Sequence, residues 1–253
     1  MTVPVSPIND EALYDRGAAT LLACWEAIAR GSRGAAVRRL PGVAAAVFPH
    51  DPERAVYNNA LLDRGLGSAG RAAALDAMEH AYSAAGIARY AVFAHEADRR
   101  MCADLEARGY TVAETTRAMG MCLSDLRVPR PRLDLAPPDW AEYLRYLTRF
   151  DLPDGFYAGV DPRPFHLLLA RLDGETIGSA YGFDLDGNCG VYNVSTLEHA
   201  RRRGIGTALT ALALHDAAAR GCRTATLQAT PMAERIYAAI GFRDLGRFLE
   251  YVP

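Results

Sequence analysis

Between Gly204 and Gly221 the apolar residues Ile205, Ala208, Leu209, Leu212 and Ala213 recur at helical spacing, with Arg220 in the last turn and Gly221 as a stop. β-rich runs flank that helix, residues 190–196 before it and 223–229 after it. Parallel neighbours in a sheet need a crossover of about a dozen residues or more, and a helix is the usual one, so this stretch commits the chain to an α/β architecture. Antiparallel partners come first: residues 165–172 and 176–184 are joined at Asp173-Gly174, a dipeptide suited to a type I′ turn, and Asp186-Gly187-Asn188 leads into the third run. Asp139 can cap a helix through Phe150, after which a loop of Pro, Gly and Asp residues runs to Pro164. Beyond the crossover, Thr230-Pro231 supplies an N-cap and a first-turn proline for a helix ending at Gly241, and residues 242–252 close with a strand. The expected fold is α/β, three layers around a mixed central sheet.

Composition narrows the chemistry. Half of the residues are hydrophobic and 23% are charged, enough to bury a full-sized core. A net charge of −2 leaves no global field for nucleic acid or an anionic membrane. All 28 basic residues are arginine, so Schiff-base chemistry, lysine nucleophiles and Walker-type phosphate loops are excluded. Cys24, Cys102, Cys122, Cys189 and Cys222 form no C-x-x-C pair, which fits neither a zinc site nor a secreted disulfide framework and suits a reducing cytoplasm. The first fifteen residues lack a basic stretch followed by an apolar one, and His215 and Asp216 interrupt the apolar helix, so neither export nor a membrane anchor is expected. No metal is expected either: His95-Glu96 is followed by Arg99 where a zinc protease needs histidine, and Asp184 to Asn188 lacks a full calcium-ligand set.

With roughly 150 residues to an average domain, the length of 253 suggests one or two. The proline-rich stretch from Arg127 to Arg132, followed by Pro137-Pro138, is an extended crossing between two halves, 1–127 and 128–253. The halves repeat each other: Val56-Tyr57-Asn58 matches Val191-Tyr192-Asn193, and Gly109-Tyr110 matches Gly241-Phe242. Between those anchors the first half offers a helix (68–85), a strand (89–95) and a helix (98–108) in the same order.

The run Arg201-Arg202-Arg203-Gly204-Ile205-Gly206-Thr207 stands between a strand and a helix, so backbone N–H groups face outward at the positive end of the helix dipole. Glycines remove side chains where backbone must approach an oxyanion, and guanidinium groups add charged donors, which suits a pyrophosphate. A solvated cationic turn that merely opens a helix has the same letters. A dinucleotide fold would need G-x-G-x-x-G after the first strand and an acid about twenty positions on, and neither is supplied cleanly.

The segment resembles motif A of the GNAT superfamily of N-acetyltransferases, [Q/R]-x-x-G-x-[G/A], as Arg201-x-x-Gly204-x-Gly206, and the resemblance extends over 132–252. It implies a mixed sheet of the acyl-CoA N-acyltransferase type and transfer of an acetyl group from acetyl-CoA to a primary amine, with a small-molecule acceptor as the expectation. It further implies that Val194, Ser195 and Thr196 lie on a splayed strand that bonds the thioester and pantetheine arm. Arg201, Arg202, Arg203, Gly204, Ile205, Gly206 and Thr207 would cradle the coenzyme A pyrophosphate, and Thr230 stands where many members carry a cofactor-touching asparagine. Tyr237, four residues ahead of Gly241-Phe242, would be the general acid for the departing thiolate. On spacing alone, Tyr237 is equally a helix-face aromatic packed beside Met232, Ile236 and Ile240. For deprotonating the amine, Asp184, Glu198, His199 and Glu234 are the available groups, with water as the alternative.

Loops 151–164 and 197–200 would shape the acceptor pocket, and Phe150, Phe156, Tyr157, Tyr192 and Asn193 either line it or anchor loops. A non-catalytic acyl-CoA-binding or sensing module is the alternative function. The first half looks like a degenerate copy, making a tandem GNAT arrangement. Its Arg64-Gly65-Leu66-Gly67-Ser68-Ala69 satisfies the bare motif, but the loop leading to it is shorter and Leu105 stands at the position of Tyr237. That half therefore reads as a structural or substrate-shaping partner with a vestigial cleft, and pairing with a second copy of the chain stays open.

Overall fold

The computed structural model describes residues 8–53, 55, 57–150 and 157–253. In chain order the elements are α1 (Asp10–Arg30), β1 (Ala36–Leu40), β2 (Val43–Val47), β3 (Asn59–Leu62), α2 (Ser68–Ala84), β4 (Ala91–His95), α3 (Arg99–Ala107), β5 (Thr111–Cys122) and β6 (Leu135–Ala136). They continue with α4 (Trp140–Leu147), β7 (Phe165–Leu172), β8 (Glu175–Leu185), β9 (Asn188–Thr196), α5 (Ile205–Ala219), β10 (Thr224–Ala229), α6 (Glu234–Ile240) and β11 (Arg243–Val252). These form two compact units, each mixed α/β. One takes its described residues from Met1–Leu21, Ala118–Tyr143 and Arg163–Leu245, the other from Leu22–Arg117, Leu144–Pro162 and Gly246–Pro253.

In the first unit the strand order is β5-β10-β9-β8-β7-β6. β6 to β9 form an antiparallel meander, and β9 pairs with β10 in parallel across the α5 crossover. The turns follow the sequence chemistry. Asp173 and Gly174 sit at φ 51° and 83°, and Asp186 and Gly187 at 48° and 76°, so positive φ at both central residues closes each hairpin. The Asp139 carboxylate accepts from the amides of Ala141 and Glu142 at 2.9 and 3.3 Å and caps α4. The helix expected to start at Pro231 begins later. The Thr230 carbonyl accepts from Ala233 and Glu234, so residues 231–233 form a turn and the Thr230 side chain caps nothing.

Deep in this unit the amide of Asn188, fully buried, donates to the hydroxyls of Thr20 and Thr226 at 2.8 and 2.9 Å and accepts from Thr224 at 2.8 Å. Every polar atom of that side chain is satisfied, which fixes where the β9–β10 ladder starts. Met119, Met121, Val191, Leu214, Leu227, Ile240 and Phe242 belong to the apolar core around it.

The second unit orders its strands β1-β2-β3-β4-β11, with β3 and β4 parallel across α2 and β4 antiparallel to the end of β11. Leu75, Met78, Tyr82, Val92, Leu105 and Tyr251 are central to its core. Asp98 caps α3 through the Met101 amide at 3.2 Å. Among the described residues no helix is long and apolar enough to cross a membrane, and no group of three or more His, Cys, Asp or Glu is placed to hold a metal ion.

Candidate active site

The site begins where the parallel ladder stops. Asn188, Cys189 and Gly190 pair with Thr224, Ala225 and Thr226, and beyond them the registered ladder ends although β9 runs on to Thr196 and β10 to Ala229. On the opposite edge β9 carries a bulge against β8. Ser179 pairs with Ser195 but Tyr181 pairs with Tyr192, so β9 holds one extra residue there. Asn193 absorbs it at φ 49°, a conformation that asparagine tolerates better than most residues, and its amide donates to the Tyr143 hydroxyl at 2.9 Å. Ser179 donates to the Asn193 carbonyl at 3.3 Å and lies 3.0 Å from the Ser195 hydroxyl. Val194, Ser195 and Thr196 are thus half-buried on a strand with backbone freed from the β10 side.

The loop that follows is shaped to open a helix. Arg202 is left-handed at φ 61° and Gly204 at φ 74°, and the Ala208 amide donates to the Gly204 carbonyl at 2.9 Å as the first turn of α5 closes. The amides of Ile205, Gly206 and Thr207 therefore stand ahead of the intrahelical ladder, at the positive end of the dipole. A Cβ on Gly204 would meet nothing within 4 Å, so the space over the loop is open. A Cβ on Gly206 would lie 3.8 Å from Thr196 Oγ1 and Val194 Cγ1, which sets the helix start beside the freed strand. Arg201 spends its Nε on the Thr196 carbonyl at 3.2 Å and ties loop to strand, while Arg202 and Arg203 are exposed. Open space, outward amides and two exposed guanidiniums are a donor set that fits a diphosphate. Ile205 differs from its neighbours, since its side chain is buried and only its amide faces that space. Thr207 is half-buried and Thr230 exposed.

Tyr237 lies on α6, 8% exposed, in the same core as Ile240 and Phe242, its ring edge-on to Phe242 at 6.0 Å. Of its expected packing partners on the helix face, Ile240 shares its core, while Met232 and Ile236 stand in solvent at 81% and 40% exposure. Burial pushes the phenol pKa up, and the nearby Thr210 hydroxyl on α5 partly offsets this. A phenol raised in this way stays protonated near neutrality and can give its proton away.

The four acid and histidine side chains considered for deprotonating an amine have different fates. Burial alone would raise the Asp184 carboxyl, but hydrogen bonds from His166 and Arg220 outweigh it and hold that carboxyl well below the usual range. Asp184 is thereby a poor base. His199 pairs with Glu175 at 3.4 Å on the surface, Glu198 is exposed, and Glu234 is half-buried at the start of α6. Of the aromatic set, Tyr192 stacks obliquely on Tyr181 beside Asn193 in the first unit, while Phe150 packs on Tyr146 and Tyr157 is buried in the second. Phe156, residues 151–156 of the loop, and Val56 of the repeat lie outside the described residues. Asn193 as the bulge residue is not visible in sequence.

The first half's motif takes another shape. Gly67, in the place of Gly204, is extended at φ −67°, and the Gly65 amide donates to the Asp98 carboxylate at 3.2 Å. Arg71, buried in the first turn of α2, bonds Asp104 at 2.5 Å and the Leu66 carbonyl at 3.0 Å.

Residues 123–242 match the model of the acetyltransferase (GNAT) family, and that span contains the bulged strand, the loop and Tyr237. Solved structures extend the likeness in fold to nearly the whole chain. A GCN5-related N-acetyltransferase from Kribbella flavida matches with TM-score 0.69 and 20% identity over 93% of this chain and 94% of its own. One from Sphaerobacter thermophilus gives 0.59 and 16% over 98% and 93%. A tandem GNAT protein from the clavulanic acid biosynthesis pathway gives 0.55 and 14% over 98% and 97%. No curated protein matches the chain in sequence.

Proposed function

We propose that the chain is an N-acetyltransferase that moves an acetyl group from acetyl-CoA to a primary amine of a small molecule, with 128–253 as its catalytic GNAT domain and 1–127 as a degenerate GNAT-like partner. The observation that carries it is where the β9–β10 ladder stops: β9 runs on to Thr196 beyond its registered partners on β10, and the loop after it turns through the left-handed Gly204 into α5. When bound, acetyl-CoA supplies an activated acyl carbon and a sulfur leaving group.

The roles of the chain's own groups follow. Amides of residues 204–207, with Arg202 and Arg203, hold the diphosphate, and Arg201 keeps the loop against Thr196. Backbone groups of Val194, Ser195 and Thr196 hold the pantetheine arm and polarise the carbonyl under attack. Tyr237 donates its proton to the departing thiolate, and Thr230 stays at the edge of the site. Asp184 being too weak a base, water at the opening takes the amine proton. The chain works in the cytoplasm without nucleic acid or membrane, as a monomer or a homodimer.

The test is release of coenzyme A thiol with a panel of primary amines. Tyr237→Phe should lower kcat by about 10²-fold, the lower end for a lost general acid, with KM for acetyl-CoA unchanged. Tight acetyl-CoA binding with no turnover on any amine would instead favour a non-catalytic sensing module, and absence of binding would remove both.

A further inference from the structure

Asn193 sits where β9 carries one residue more than β8, with a left-handed backbone at φ 49°. Side chains from two other elements bear on it. Ser179 of β8, fully buried, donates its hydroxyl proton to the Asn193 carbonyl at 3.3 Å, so the Ser195 hydroxyl 3.0 Å away donates to Ser179 in turn. The Asn193 amide donates to the Tyr143 hydroxyl at 2.9 Å. Tyr143 is itself held in place, fully buried in the first turn of α4, where its backbone N–H donates to the Asp139 carbonyl at 3.0 Å. Its ring lies 5.1 Å from that of Trp140 and edge-on to Tyr181 at 6.3 Å. A trans peptide carries its C=O and N–H on opposite sides, so with the Asn193 carbonyl drawn to Ser179 the Val194 amide points away from that hydroxyl. The plane of the Asn193–Val194 peptide is thereby set at the start of the freed stretch Val194 to Thr196.

We infer that Tyr143 and Ser179 are positioning residues: acting through Asn193, they hold the Asn193–Val194 peptide so that the backbone donors of the strand meet the acyl carbonyl of the thioester. This deepens the proposed function and rests on residues 194–196 holding the acyl arm. The reason for two struts is mechanical. A bulge disrupts the ladder that would otherwise fix the backbone, and a left-handed asparagine is tolerated rather than preferred. Side chains therefore supply what the ladder supplies elsewhere on β9. Direction matters here, because a donor stabilises developing charge only where it is aimed, and a misplacement of about 1 Å can cost about a hundredfold in rate. The diphosphate end of the site is built from other parts, residues 201–204 and the first turn of α5, so the two ends can be tested apart.

ADP carries a diphosphate without the pantetheine arm and acetyl-CoA carries both, so calorimetry with the two ligands reads the loop and the strand separately. Tyr143→Phe keeps the ring and removes the acceptor, and Ser179→Ala removes the donor. Each should raise the Kd for acetyl-CoA about fivefold, the loss expected of one neutral hydrogen bond, and leave that for ADP within about twofold. On an amine that the wild type acetylates, each should lower kcat about tenfold. Asn193→Gly keeps the left-handed backbone and loses the strut, so it should match Tyr143→Phe, and the double variant should be no worse than either. Asn193→Ala adds left-handed strain and should be worse than Asn193→Gly. A lower melting temperature in Tyr143→Phe and Ser179→Ala, with kcat and the ratio of the two Kd values unchanged, would make both residues merely structural. That result overturns the inference and leaves the acetyltransferase reading in place. A wild type that does not bind acetyl-CoA overturns the reading itself.

Discussion

Gly204 combines a left-handed backbone with open space: φ is 74° and a Cβ there would touch nothing. Backbone strain and ligand exclusion can therefore be separated by one methyl group. In Gly204→Ala the strain of a left-handed alanine should cost about 1 kcal/mol of stability, read as a small drop in melting temperature. The methyl also enters the space in front of the amides, so the Kd for acetyl-CoA should rise about tenfold or more by calorimetry, worth about 1.4 kcal/mol. A stability loss with unchanged affinity would mean that the loop holds no diphosphate. Residues such as Gly204 and Tyr237 are legible in sequence because they sit at fixed offsets within a motif. Asn193 is not, because a bulge exists only once two strands are paired in register.

Elements were legible wherever local chemistry dictates them. The Asp173-Gly174 turn, the Asp139 cap and the Gly221 stop all lie where side-chain oxygens or positive φ are needed. α1 escapes such reasoning because its buried stripe, Leu13, Gly17, Thr20, Cys24 and Ile28, puts a glycine and a threonine where apolar periodicity should show. β1 escapes because Arg38 and Arg39 fill an exposed strand. The end of β11 shows what propensity hides. Burial and then the charge of Glu114 raise the Glu250 carboxyl to about 7, with a Thr116 hydrogen bond opposing them. The folded chain thus keeps a proton that an unfolded glutamate, with pKa about 4.3, releases. Glu250 contributes fully below about pH 4, and its contribution falls as pH rises to 7 and stays lost above it. Glu250→Gln, uncharged throughout, should stabilise by about 1–2 kcal/mol at pH 8, after allowance for solvent screening, and by almost nothing at about pH 4. Urea unfolding at the two pH values measures it, and equal differences at both would sink the assignment.

At the scale of the whole molecule, two short motifs of the same pattern pose a counting question: how many acetyl-CoA molecules does one chain hold? A diphosphate needs outward amides, unspent guanidiniums and an open approach. Around Gly204 these coincide. In the first half Gly67 is extended, the Asp98 carboxylate already takes the Gly65 amide, and Arg71 is committed to Asp104 and Leu66. An acidic side chain at an anion's place both occupies the donor and repels the ligand, a larger obstacle than the absence of a favourable contact. Leu105, fully buried, offers no proton where the second half has Tyr237. Titration calorimetry should therefore give one acetyl-CoA per chain, and Gly204→Ala should weaken all of the binding rather than half. Asp98→Asn removes the competing charge while keeping an oxygen that can cap α3, so it should change stability by less than about 1 kcal/mol without creating a second site. Two equivalents in the wild type, or half the capacity surviving at full affinity in Gly204→Ala, would make the first half a working cofactor domain.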